Sequence, residues 1–147
     1  MLILGSLPGE ASLAARQYYA HPQNRFWDLI GAVTGRDLPA LPYDARLTAL
    51  LCAGVGLWDV IASAVRTGSL DAAIREAEEA PLRDLVATLP NLRAVGFNGG
   101  TAARIGRRAL AGTGLTLIDL PSSSPAYAAM PLAAKRERWL ALAPFLR

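Results

Sequence analysis

The chain opens on an apolar run, Met1, Leu2, Ile3 and Leu4, that stops at Gly5 and the Pro8-Gly9 pair, as a buried strand feeding a loop does. A strand that starts this abruptly carries the expectation of a short preceding segment. Phe26, Trp27, Ile30 and Val33 then follow helical spacing up to Gly35, and Leu47, Leu50 and Leu51 do so up to Gly54, which predicts two core-facing helices. Residues 93–97 read as a second strand, broken at Asn98, Gly99 and Gly100 and followed by a helix through Leu110. Thr113 and Gly114 turn into a third strand over residues 115–120. A last helix containing Trp139, Leu140 and Leu142 closes the chain.

Strands alternating with helices predict a parallel α/β sheet covered on both faces. Ligands of such sheets sit beyond the carboxyl ends of the strands. Three loops, residues 5–9, 98–100 and 122–127, are therefore predicted to face one cleft.

Length and composition narrow this picture. With 147 residues, 52% of them hydrophobic, the chain fits one domain over residues 1–147, and its Gly and Pro form no linker or repeat. The longest nearly apolar run, residues 47–58, is too short to cross a bilayer, and no signal peptide opens the chain, so no membrane partner and a cytoplasmic location are expected. The single Cys52 lies in an apolar helical stretch and is expected in the core; it excludes an internal disulfide and a four-cysteine metal site. No cluster of histidines or carboxylates has metal-ligand spacing, so the expected chemistry uses no metal and no cofactor. Fifteen Lys plus Arg stand against twelve Asp plus Glu. Acidic residues gather between Asp71 and Asp84, whereas Arg104, Arg107, Arg108, Lys135, Arg136 and Arg138 make the C-terminal half basic. That suits a phosphate-rich partner, although solvated helix faces look the same.

Three segments carry candidate chemistry. Gly5, Ser6, Leu7, Pro8 and Gly9 place two glycines just past a strand, where backbone N–H groups can approach an anion or a base edge. Residues 17–27 collect Tyr18, Tyr19, the only histidine (His21), Asn24, Arg25, Phe26 and Trp27. Aromatic faces stack on an unpaired base, and an amide offers donor and acceptor together. Helical spacing assigns Trp27 to the core and points Phe26 the same way, His21-Pro22 reads as a turn, and Tyr18, Tyr19 and Asn24 lack such an explanation. Ser122, Ser123 and Ser124 stand between Pro121 and Pro125, followed by Ala126 and Tyr127, a rigid loop with donors for successive phosphates. Asn98, Gly99 and Gly100 before a helix offer either a cap or a phosphate contact.

The order of these motifs resembles the DNA-deoxyinosine glycosylases of the uracil-DNA glycosylase superfamily. The resemblance runs over essentially the whole chain: the loop Gly5 to Gly9, then Tyr19 through Trp27 with its Ala-His-Pro and Asn-Arg-Phe-Trp, then the motif from Gly56 to Ile61, then Phe97 to Gly100, then Leu120 to Pro125. The second motif is also similar to mismatch-specific uracil-DNA glycosylase.

The resemblance implies a three-layer α/β/α fold on a four-stranded, mainly parallel sheet. It implies a monofunctional enzyme that flips a deaminated base, hypoxanthine first, out of double-stranded DNA and hydrolyses its N-glycosidic bond in base excision repair. A mismatch-specific uracil or thymine glycosylase and a catalytically silent nucleic-acid-binding module are the alternatives. By the same resemblance Gly5 to Gly9 line the base pocket with Tyr18, Tyr19 and Phe26, Tyr18 or Tyr19 stacks on the base, and Asn24 is catalytic. Asn98, Gly99, Gly100 and Ser122 to Tyr127 hold DNA, with Ala126 and Tyr127 as wedge candidates. Leu7 stands where uracil-removing relatives carry a water-positioning Asp or Asn, and Ser122 where some carry a catalytic His. A monomer is expected, and because Lys135 is the only lysine, no lysine is expected near the pocket motifs.

Overall fold

The computed structural model describes residues 1–65 and 75–147; Asp71, at the start of the acidic stretch, lies outside the described residues. Leu2, Ile3 and Leu4 make strand β1 (Leu2–Gly5), buried along its length. Leu2 and Leu4 enter one core and Ile3 the other, as the period-two alternation of a strand requires. After α1 (Glu10–Ala15), α2 (Phe26–Thr34) and α3 (Tyr43–Ala53) come β2 (Gly56–Asp59) and the strands β3 (Ile61–Val65) and β4 (Arg75–Glu79). Then follow α4 (Leu82–Ala87), β5 (Ala94–Asn98), α5 (Gly100–Leu110), β6 (Thr116–Leu120) and α6 (Leu132–Trp139), which runs into a 3-10 turn, Leu140–Phe145.

The central sheet has four strands in the order β2-β1-β5-β6. All its neighbours are parallel, so the expected mainly parallel sheet is parallel throughout. Strands β3 and β4 pair antiparallel as a separate two-stranded sheet. The chain leaves β1 for β2 on one side and returns to β5 on the other. The topological switch point thus lies beyond the end of β1, where ligands of open α/β sheets bind.

One face of the sheet is covered by α2, α3, α6 and the 3-10 turn, with Phe26, Leu29, Ile30, Leu50, Trp139 and Leu142 buried around Ile3. The other carries α4 and α5, with Leu82, Ile105 and Leu110 packed on Leu4 and Phe97. Each such side chain, fully buried, stabilises the fold by about 1.5–3 kcal/mol. Helix α5 comes so close that a Cβ on Gly106 would lie 2.2 Å from Phe97 Cε1, so only glycine fits there.

Helices α2 and α3 end where expected, at Gly35 (φ 72°) and Gly54 (φ 77°), in the left-handed conformation that glycine adopts without strain. The apolar stripe of α3 is narrower than its sequence suggests. Ala49 and Leu50 are buried, but Leu47 and Leu51 are exposed. Cys52 is exposed too, which corrects its expected place in the core: it lies about 200° around the helix from Leu50. Among the described residues no helix is long and apolar enough to cross a membrane.

Candidate active site

A cavity of about 950 Å³ opens at the carboxyl ends of the sheet strands. Its walls come from residues 5–9 after β1, from Tyr18, Tyr19, His21 and Asn24 ahead of α2, from the ends of β2 and β5 at Asp59 and Asn98, and from residues 122–127 after β6. Two of the three predicted loops converge completely, and the third contributes Asn98.

The aromatic segment is braced from several sides. Ser12, buried on α1, accepts a hydrogen bond at Oγ from the Ala20 N–H (3.0 Å), and the Tyr43 hydroxyl accepts one from the Tyr18 N–H (2.9 Å). Between these ties Tyr19 adopts φ 54°, a left-handed conformation that costs a non-glycine residue on the order of 1–3 kcal/mol. The bend lays the Tyr19 ring on Phe26 with centroids 3.9 Å apart and planes 20° off parallel. Phe26 is fully buried and does not line the cavity. Its expected contact with a base is therefore corrected: it supports Tyr19 from behind, because α2 needs it in the core. The Tyr18 phenol is held above its ordinary pKa by burial, then by the Asp59 carboxylate and by Tyr43.

Asn24 precedes α2. Its Oδ1 accepts from the Phe26 N–H (3.0 Å), one of the backbone donors at the helix start that have no partner within the helix. That bond fixes which end of the amide is which, and Nδ2 is the group Asn24 can turn to the cavity. His21, exposed at the rim, sits in a turn whose carbonyl accepts from the Asn24 N–H (2.9 Å) and whose Nδ1 accepts from the Gln23 N–H (3.1 Å).

The serine loop is fixed from below. Asn98 Nδ2 donates to Ser123 Oγ and Asn98 Oδ1 accepts from the Ser123 N–H, both at 2.9 Å. The Ser123 carbonyl accepts from the Arg25 N–H (3.0 Å), and Trp139 Nε1 donates to the Pro121 carbonyl (2.9 Å). Each end of the Asn98 amide thus has a partner inside the protein, and Ser123 is only 1% exposed. Their mutual bonds hold the loop, and both residues also line the cavity. Ser122 and Ser124 are half-buried, their Oγ atoms accepting from the N–H groups of Ser124 and Ala126, which leaves each hydroxyl hydrogen to donate outward. Gly99 (φ 99°) lies under Ser122, where a Cβ would come within 3.2 Å of Ser122 Cβ. Gly100 opens α5; neither glycine lines the cavity.

Two expectations about charge change. Arg107 pairs with Asp119 (2.7 Å) and Arg108 with Glu79, so two of the three α5 guanidiniums already face carboxylates. Lys135, expected far from the pocket motifs, lies beside one of them. Packing of α6 brings its buried Nζ to 5.2 Å from the Tyr127 ring, in a crevice behind the serine loop. Burial lowers its pKa.

The sequence reading missed Asp59 and Tyr43. Asp59 ends an apolar stretch, Leu57-Trp58, at the carboxyl end of β2, and the strand-end rule finds it once Gly56–Asp59 is taken as a strand.

The family model of the uracil DNA glycosylase superfamily matches residues 1–143. A protein named Hypoxanthine DNA glycosylase from Methanosarcina barkeri is 46% identical over 99 residues, which cover 67% of this chain and 63% of that protein, less than two thirds of its length. One of the same name from Methanosarcina acetivorans is 40% identical over 126 residues, 86% of this chain and 79% of that one. The solution NMR structure of a Methanosarcina acetivorans protein, provisionally titled a uracil DNA glycosylase, superposes with a TM-score of 0.86 at 36% identity, covering 98% of this chain and 88% of its own.

Proposed function

The chain belongs to the uracil DNA glycosylase superfamily, and from that premise we propose that it is a monofunctional DNA glycosylase that removes hypoxanthine from double-stranded DNA in base excision repair. The observation that carries this reading is the pairing of Tyr19, backed by Phe26, with Asn24 in one cavity. With one face covered by Phe26, Tyr19 offers the other to a flipped base. Its parallel seat on Phe26 favours it over Tyr18 as the stacking ring. Stacking contributes about 1–3 kcal/mol per base, against a flipping cost of a few kcal/mol that is least for a mispaired base. The names of the two Methanosarcina relatives support hypoxanthine as the substrate.

In this mechanism the N9–C1′ bond breaks with its electron pair leaving on the base, the sugar becomes oxocarbenium-like, and water attacks C1′. Leu7 offers no group to activate that water, so the chemistry leans on the leaving base. The Asn24 amide donates to the charge that builds on the base as the bond breaks, the kind of preorganised contact worth most in a water-poor site. The hydroxyls of Ser122 and Ser124 hold phosphates, and Tyr127, 41% exposed, fills the vacated stack. Lys135 stands behind the loop and outside the cavity wall, which supports simple hydrolysis over a Schiff-base lyase step. We read the active form as a cytoplasmic monomer.

Single-turnover reactions on duplexes carrying one hypoxanthine, xanthine or uracil, followed by hot alkali, test the substrate. Cleavage at hypoxanthine is expected. Cleavage at uracil alone would move the chain to the uracil-removing branch, and cleavage at none would contradict an excision role.

A further inference from the structure

Among the described residues of the cavity wall one carboxylate appears, Asp59, and the steps above give it no task. Asp59 is in register with Gly5 at the end of β1. It shares a strand face with Leu57, which packs on the same core as Tyr19. A Cβ at residue 5 would lie 2.8 Å from Asp59 Oδ1 and 2.9 Å from the Tyr19 hydroxyl. Glycine at that position is therefore what lets the acid and the stacking ring meet on the pocket floor. A carboxylate only accepts hydrogen bonds, at about four lone-pair positions, so it can serve protein donors and still take one more N–H.

Deamination changes the matching property of a base. Adenine N1 and cytosine N3 are bare acceptors; in hypoxanthine and uracil the same ring nitrogen carries a hydrogen and donates. Resting on the glycosylase reading, we propose that Asp59 is a specificity residue, its carboxylate accepting the ring N–H of a flipped deaminated base and repelling the lone pair of the unmodified one. The acid senses the donor that deamination creates rather than the whole outline of the base. Guanine and xanthine both carry N1–H, so selection between those two falls to other contacts.

The test compares hypoxanthine with N1-methylhypoxanthine, in which a methyl group replaces the donor, at one position of one duplex in single turnover. Wild type is expected to release hypoxanthine faster by on the order of 100-fold or more, since a site built to bond an N–H is left unpaired by an analogue without one. In Asp59→Ala, which loses the acceptor and opens room for the methyl, that ratio is expected to shrink at least about tenfold. Asp59→Asn keeps the side-chain volume and halves the acceptors, and is expected to shrink it in the same direction. Equal rate losses for both bases in the variants, with the ratio unchanged, would make Asp59 a structural residue and overturn the proposal. A wild type indifferent to the methyl would overturn it as well. Release of neither base by wild type would instead sink the glycosylase reading on which it rests.

Discussion

Asn24→Ala is expected to slow single-turnover release of hypoxanthine by about 10² to 10³, the usual loss for one preorganised donor at a developing charge. The same change removes the acceptor that holds the Phe26 N–H, so stability should fall by about 1 kcal/mol, the usual net loss for one hydrogen bond. Asn24→Asp separates the two roles. Aspartate keeps an oxygen for the Phe26 N–H and replaces the amide donor with a second acceptor. Its melting temperature is expected close to that of wild type and its rate as low as that of the alanine variant. An aspartate variant as fast as wild type would show that Asn24 acts through its oxygen, as a water-positioning acceptor, and would overturn the donor role.

Asn98→Ala should damage both fold and activity. The amide makes two bonds to one buried residue; without it the Ser123 N–H and hydroxyl are left in a site 1% exposed. Orphaning buried polar groups costs about 1–3 kcal/mol each, which for a chain of this size lowers Tm by roughly 5–15 °C. The loop that carries Ser122, Ser124 and Tyr127 also loses its tie to β5, so affinity for damaged duplex should fall with stability. Asn98→Asp is the informative partner. Its carboxylate can accept both from the Ser123 N–H and from a rotated Ser123 hydroxyl, so most of the stability and affinity should return. If Asn98→Ala melted like wild type while affinity alone collapsed, Asn98 would be a direct DNA contact after all.

The three strands around Ile3, Phe97 and Leu120 were legible in the sequence because each is an apolar run cut by Gly, Asn or Pro. The strand-end rule then brought their loops to one cleft. Strand β2 was hidden because it follows α3 within one apolar stretch, with only Gly54 and Val55 between them, and its acid, Asp59, went without a role inside the Gly56 to Ile61 motif. The pairing of β3 with β4 had no signal: Arg75–Glu79 is almost entirely charged and shows no alternation. Helix periodicity put Leu47, Leu51 and Cys52 toward the core without showing how little of α3 the sheet covers. For the site, side-chain type pointed to Tyr19 and Asn24 correctly as cavity residues. It could not show that Asn98 and Ser123, besides lining the cavity, bond to each other and so fix the loop. Nor does sequence distance reveal that α6 folds Lys135 back onto Tyr127.

Hydrolytic excision is tested most sharply by mixing excess protein with a duplex carrying one inosine in water labelled with heavy oxygen, then assaying free base and the mass of the strand. One free hypoxanthine per duplex is expected, with an uncut strand whose abasic sugar bears the label, is cleavable only by added alkali and is not trapped by borohydride. Damaged duplex bound tightly with no hypoxanthine released would contradict it.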